Sequence, residues 1–490
     1  MKKAIEKRDI RKIRFIEPGN LPYRVSVKNL FIYDKYIRTP STGLMTLATL
    51  VKKHIDDTRM YSESISTIHW KDVLSADIVC IGIFTFNADR GYEIARYIKE
   101  HSSALVVMGG LHATLNYQEA VNHCDYVLLS EADESIVEFI DALRKGKPID
   151  IEGVAYKKGE ETVFTGYRKP PVDIDTVPDR YLLHNYHRMA GHNTLWLQVH
   201  ASRGCPHNCD YCSVVRHFGR TVRKRSPESV VEDIRQSIAF HRRKLFPRMS
   251  QFLWITDDNF FADRKWAVSV LHAIIRSGIR YKFSVQARYE VGFDDEMLEL
   301  LKQAGFFEIA MGIEFLDDRS FEKFNKVCTS EDVLESIRNI QKHGLSVRGL
   351  FIAGTEDHRA GIGNALADFV ISNKLNGVLI QSMYFIPGTP AYDKYKERLI
   401  YRDWSKFKGN VVHFPENISP YQLQKEIIHA SLRIYSWKRL LHTLIFAAPI
   451  FKLLFIGEFF WHRSICGDYR KDLPYLKKIS SPEHGRVAGV

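Results

Sequence analysis

The 490 residues carry 70 Lys and Arg against 58 Asp and Glu, a net charge of +12, with 45% hydrophobic and 26% charged residues. Those proportions fit a folded chain of two or three domains and exclude a disordered or fibrous one. Seven scattered cysteines exclude a disulfide scaffold, and a basic N-terminus without the apolar run of a signal peptide points to a reducing, cytoplasmic setting.

Residues 12 to about 150 alternate short apolar runs with helical patterns. The runs 13–16, 78–84, 105–108 and 126–129 have strand length, and 91–100 and 132–143 have helical spacing. Uninterrupted apolar runs suit strands buried on both faces, so a parallel, doubly wound sheet is expected, with ligands at its carboxyl edge. Two motifs lie there: Pro40-Ser41-Thr42-Gly43-Leu44, and Met108-Gly109-Gly110-Leu111-His112-Ala113-Thr114. Glycines after a buried strand let backbone approach a large planar ligand. A plain strand–turn–helix junction is the competing account. Both motifs resemble the cobalamin-binding domain that precedes many radical enzymes. The resemblance implies that Gly109, Gly110 and His112 line a cobalamin face. The Asp-x-His-x-x-Gly signature that supplies a histidine to cobalt is missing. Ser130-Glu131-Ala132-Asp133-Glu134 stands where relatives often show Gly-Glu-Gly-Glu.

Prolines 170, 171 and 178 punctuate a hairpin and linker over 151–190, with a domain boundary near 190. Six further strand candidates follow at 197–200, 252–255, 282–286, 308–311, 347–352 and 378–382, with helices between, as in a barrel of βα units. After the first of them comes Arg203-Gly204-Cys205-Pro206-His207-Asn208-Cys209-Asp210-Tyr211-Cys212. Thiolates favour iron–sulfur clusters, zinc or Cu(I), and a 4Fe–4S cluster normally takes four of them. Cys205, Cys209 and Cys212 without a fourth nearby leave one iron open. The alternative is a zinc site completed by His207 or His217. The spacing, with an aromatic before the last cysteine, resembles the radical S-adenosylmethionine enzymes. In that family the open iron chelates S-adenosylmethionine, and an electron from the cluster releases a 5′-deoxyadenosyl radical.

Later strand ends carry further candidates. Asp257, Asp258 and Asn259 are able to accept from a ribose or ammonium, or to cap a helix. Arg288 ends the third barrel strand, where its planar fork suits a carboxylate; a surface salt bridge is the plain alternative. Glu314, in a segment resembling the family's Ala-Gly…Gly-Glu stretch, requires a partner if buried. The resemblance implies that Arg288 and Glu314 position S-adenosylmethionine and that Tyr211 packs near its adenine. The loop Thr355-Glu356-Asp357-His358 departs from the family's Pro-Gly-Glu-Thr.

Past residue 415 the pattern is helical. Fourteen of the eighteen residues 444–461 are apolar, with Lys438, Arg439, Arg463, Arg470 and Lys471 flanking them. Three accounts compete: a helical cap on the barrel, a helix in the membrane interface, and a membrane span. Charge is also concentrated in 220–225 and 241–244, where a solvated helix face competes with a binding patch.

The expected fold is α/β. A doubly wound cobalamin-binding-like domain (1–150), a hairpin and linker (151–190), a partial (β/α)6 barrel (191–400) and a helical C-terminal region (401–490) follow in order. The resemblance implies a 4Fe–4S cluster, S-adenosylmethionine and cobalamin. It also implies functionalisation of an unactivated carbon, methyl transfer foremost, with an electron donor such as flavodoxin or ferredoxin; the membrane-interface account of 444–461, where it holds, points to an apolar, lipid or terpenoid substrate. Ring formation or C–C coupling is the near alternative. An RNA methylthiotransferase would need three N-terminal-domain cysteines, against Cys80 and Cys124 here, and nucleic acid is not the expected partner. A non-catalytic cobalamin sensor is the remaining rival. The expected location is cytoplasmic, peripheral to the inner face of the membrane if the interfacial account holds.

Overall fold

The computed structural model describes residues 7–19, 40–65, 67–184, 197–241 and 252–481. The expected boundary near 190 and the basic residues 242–244 lie outside them. Strands β1 (Lys12–Glu17), β2 (Asp57–Ser62), β3 (Ile78–Gly82), β4 (Leu105–Gly109) and β5 (Tyr126–Leu128) form a parallel sheet in the order β2-β1-β3-β4-β5. Their apolar side chains, Ile13, Phe15, Val79 and Val106 among them, are fully buried between helices on both faces. The hairpin β6 (Val154–Lys158) and β7 (Glu161–Phe164) extends this sheet antiparallel to β5.

β2 was not among the expected strands. Its sequence Asp57-Thr58-Arg59-Met60-Tyr61-Ser62 has no apolar run because it lies at the sheet edge, where outer positions stay wet. Strand order reverses between β1 and β3, which opens a crevice at their carboxyl ends. Ser41 caps the helix Thr42–Lys52 that borders it, its hydroxyl accepting from Leu44 N at 3.2 Å.

The second half is built on β8 (Leu197–Val199), the small pair β9 (Ser202–Arg203) and β10 (Arg223–Lys224), then β11 (Phe252–Ile255), β12 (Lys282–Ala287), β13 (Phe306–Glu314), β14 (Ser346–Ala353) and β15 (Gly377–Ser382). β8 and β11 to β15 pair in sequence order, all parallel, as a curled six-stranded partial barrel. All six predicted strands fall within two residues of these bounds at their centres.

Three helices, Pro420–Ile434, Trp437–Phe446 and Pro449–Ile479, cover the β15 edge. The join between them and the barrel is polar. Arg348, 14% exposed, donates to both oxygens of Glu308 (3.0 and 3.1 Å) and pairs with Glu458, which also accepts from Tyr435 Oη. His462 Nε2 donates to Val378 O at 3.1 Å. The apolar run 444–461 is therefore not one helix: Ala447 and Ala448 are extended (ψ 157° and 152°), and Pro449 starts a new helix. Among the described residues no helix is long and apolar enough to cross a membrane.

Candidate active site

β8 delivers the chain through β9 into the cysteine loop. Gly204 enters it at φ +94°, where a Cβ would lie 2.5 Å from Thr221 O, so glycine is required. The loop is held from several sides. Cys205 N donates to Gly219 O (3.3 Å), Cys212 N to Cys209 O (3.0 Å), and Asp210 N to Phe324 O (3.2 Å). Asp210 O accepts from Ala391 N at 3.1 Å, so the loop is seated on the far side of the barrel as well. The three thiols are drawn together closely enough to feel one another. Burial raises Cys205 above the usual thiol range and pushes Cys212 up to about 12, and Cys209 adds to both shifts. Among the described residues no three His, Cys, Asp or Glu side chains gather as ligands of a single ion would. His217 is turned edge-on to Phe218 (4.5 Å between ring centres) and lines the neighbouring cavity.

The other predicted residues surround this loop. Tyr211 packs edge-on against Phe315 and Phe324 (6.0 and 6.1 Å). Burial, then Glu314 and Cys209, hold its hydroxyl well above 10. Glu314 ends β13 in a left-handed conformation, φ +62°, at a register shift against β14. Its partner, which sequence reasoning missed, is Lys326. That lysine is buried, pairs with the Glu314 carboxylate, and donates to Gly312 O and Ile313 O. A lysine twelve residues downstream in a loop carries no sequence signal of this role. Arg288 follows β12, with its Nε 3.0 Å from Glu290 and Nη2 3.2 Å from Val327 O. Its side chain is 13% exposed and that of Glu290 47%, so the arginine is paired at the rim of the site, where its charge acts on Cys205.

The acidic run after β11 splits into two tasks. Asp257 is fully buried and accepts from Ala201 N (2.6 Å) and Ser202 Oγ (2.5 Å), fixing the exit of β8. Asp258 keeps Oδ2 without a partner, and burial beside Asp257 raises its carboxyl to about 7. It acts on Cys205 and Cys212. Neither caps the following helix; Asp263 does.

A cavity of about 480 Å³ lies where the two halves meet. On one side are Glu17, Gly82, Gly109 and Gly110 at the crevice of the first sheet; on the other are Arg203, His200, His217 and Phe218 from the cysteine loop and its neighbours. Gly110 sits at φ +91°, and a Cβ there would meet Ile83 O at 2.8 Å. Phe84 and Phe86, stacked 5.8 Å apart and more than a third exposed, present flat apolar faces. Gly109 and Gly110 line the cavity. His112 does not. It is fully buried behind the turn, with Nδ1 3.2 Å from Thr85 Oγ1 and its ring 5.0 Å from Trp404, because the helix starting at Leu111 rotates it into the core.

The two halves are locked across this cavity by ion pairs that the Ser130–Glu134 departure conceals. Arg203 donates to Glu131 (2.7 Å) and Asp133 (2.9 Å), and Arg223 pairs with Glu131. Ser130 takes the left-handed φ of +56° that a glycine would favour there, with its N donating to Thr114 Oγ1 at 2.8 Å.

The Radical SAM superfamily model matches residues 199–358. The chain is 25% identical over 395 residues to the bacteriochlorophyllide d C-12(1)-methyltransferase of Chlorobaculum tepidum, covering 80% of this chain and 82% of that one. It is 23% identical to the hopanoid C-2 methylase of Rhodopseudomonas palustris, over 74% of this chain and 66% of that one. Among solved structures, the radical S-adenosylmethionine methyltransferase TsrM of Kitasatospora setae, with cobalamin and a 4Fe–4S cluster bound, superposes with a TM-score of 0.62. Its identity is 17%, over 79% of this chain and 75% of that one. The cobalamin-dependent enzyme OxsB with aqua-cobalamin bound gives 0.69 at 15% identity, over 98% of this chain and 75% of that one. A domain of this superfamily implies a 4Fe–4S cluster and S-adenosylmethionine. Residues 199–358 match that domain, and the chain is similar over four-fifths of its length to enzymes that transfer methyl groups.

Proposed function

We propose that Cys205, Cys209 and Cys212 hold a 4Fe–4S cluster, that the interdomain cavity holds cobalamin, and that the pair methylates an unactivated carbon of an apolar substrate. When bound, the cluster supplies the electron that cleaves S-adenosylmethionine, and the cobalamin supplies the methyl group. The observation that carries the reading is a shared wall. Arg203, which leads into the loop with the three thiols, and His217 and Phe218, on the helix that follows it, line the cavity whose opposite side is the glycine turn of the doubly wound sheet. A cavity at the switch point of such a sheet, with glycine backbone and flat aromatic faces, fits a large planar macrocycle.

The chain's own groups have distinct parts in this reading. Arg288 presents a cation to the S-adenosylmethionine carboxylate. Glu314, held by Lys326, accepts from its ammonium or ribose. Tyr211 offers a ring face near the adenine and closes the loop to water. Gly109 and Gly110 bring backbone to the corrin, and the displacement of His112 leaves it no part in binding. The substrate class is an apolar small molecule such as a lipid, terpenoid or tetrapyrrole. The relatives named for hopanoid and bacteriochlorophyllide methylation support that class. A small electron-transfer protein of the flavodoxin or ferredoxin kind supplies the reducing electron.

Anaerobic reconstitution with iron, sulfide and cobalamin, followed by metal counting and visible spectroscopy, tests the reading. About four irons and one cobalamin per chain are expected from the three-thiol stoichiometry, with iron lost in Cys205→Ala, Cys209→Ala or Cys212→Ala. Four irons without cobalamin would keep the radical chemistry and remove the methyl-transfer step.

A further inference from the structure

Helix Trp437–Phe446 and the first turns of Pro449–Ile479 form a hairpin. Trp437 meets Phe459 at 4.6 Å, and Arg463 lies over both rings at 5.3 and 4.4 Å. The two helices therefore run antiparallel, and Ala447–Pro449 is the tip. Among the described residues, Leu444, Ile445, Phe446 and Leu453 near that tip are 38 to 72% exposed, as are Leu441 along the hairpin and Trp437 at its far end. Six of the seventeen exposed large hydrophobics among the described residues thus fall within one stretch of seventeen residues. Single exposed apolar residues need no explanation; a contiguous set on one hairpin does.

The charge around it has one sign. From Trp437 to Gly467 the only acid is Glu458, and that carboxylate is buried against Arg348 and Tyr435. The cations are Lys438, Arg439, Lys452 and Arg463, with Lys438 exposed beside Trp437. An apolar wedge, a tryptophan at its border and basic residues without acids match the headgroup region of an anionic bilayer. A protein partner, by contrast, would leave the cations to be matched by acids of its own.

Position sharpens the inference. Phe451, next to the tip, packs on Phe307 at the start of β13 (6.0 Å), whereas Glu314 and the cysteine loop are at the end of that strand. The seven residue steps from Phe307 to Glu314, at about 3.3 Å each, put the tip roughly 23 Å from the reacting end. We infer that the hairpin 437–453 is an anchor that seats the enzyme on an anionic membrane surface with the barrel mouth turned away. It fastens the enzyme and does not feed substrate. This holds whatever reaction the site performs.

Sedimentation of the full-length holoenzyme with vesicles tests it. Vesicles of phosphatidylcholine with phosphatidylglycerol should carry the protein down, and pure phosphatidylcholine should carry at least tenfold less. Ile445→Glu/Phe446→Glu should lower the bound fraction at least tenfold, and Lys438→Glu severalfold, with the salt dependence weakened. Reductive cleavage of S-adenosylmethionine in the absence of vesicles should be the same in all variants, which separates loss of docking from misfolding. Equal binding to neutral and anionic vesicles, or none to either, overturns the proposal. So does a concentration-dependent dimer in analytical ultracentrifugation that Ile445→Glu/Phe446→Glu abolishes, since a second copy would then be the occupant.

Discussion

Replacing Lys326 with methionine removes the one cation that touches Glu314 and two carbonyls at the end of β13. Breaking a buried pair on one side costs about 3–5 kcal/mol because the other charge is stranded. Glu314 keeps 17% of its side chain exposed, so the lower end applies, about 3 kcal/mol. At 1.4 kcal/mol per tenfold this corresponds to roughly a hundredfold easier opening of the strand end. Hydrogen–deuterium exchange of the apoprotein, followed on peptides spanning 306–328, reads that opening directly. Protection should fall about a hundredfold there by the same arithmetic and hold in the doubly wound sheet. Glu314→Gln/Lys326→Met, which removes both charges, should recover most of the loss. If Lys326→Met left protection within about threefold of the parent, or the double variant matched the single, the pairing would not be what holds this strand end.

The remaining expectations bear on other parts of the molecule. Burial raises Glu17, at the cavity end of β1, from 4.5 to about 7. The native chain then keeps a proton that the unfolded chain releases, so stability is greatest below about pH 4.5 and falls as pH rises to about 7, by at most about 3 kcal/mol. Thermal melts across that window should show the fall, and Glu17→Gln should flatten it. Gly204→Ala forces a side chain into the left-handed region, about 1–2 kcal/mol, and against Thr221 O. Reconstituted iron should drop below half while circular dichroism is unchanged. Arg348→Met strands Glu308 and Glu458 and should cost about 3–5 kcal/mol, read as early release of the C-terminal helices in limited proteolysis. Arg203→Met leaves Glu131 and Asp133 short of a cation and should weaken cobalamin retention in gel filtration severalfold with iron content intact.

Much of this was legible in the linear chain. Buried parallel strands write themselves as apolar runs, so the six barrel strands and four of the first sheet stood out, and three thiols within eight residues mark a candidate ligand set whatever the fold. β2 was hidden because an edge strand alternates polar and apolar residues, and it carries Asp57, a partner of the fully buried Arg14, which no local pattern announces. His112 fitted its motif and yet faces the core, because a rotation of the helix at Leu111 is a matter of packing against Trp404, almost three hundred residues away. The same distance separates local from tertiary information everywhere in the site. Sequence alone offered Cys205, Cys209 and Cys212 as a candidate ligand set, since donor atoms and spacing are local. Only the tertiary structure decided which charges meet: Lys326 with Glu314, Arg203 with Glu131, Arg348 with Glu458. Pairing of buried charges is set by chain elements that pack together from afar, and burial, which gives those pairs their energy, exists only once the chain has folded.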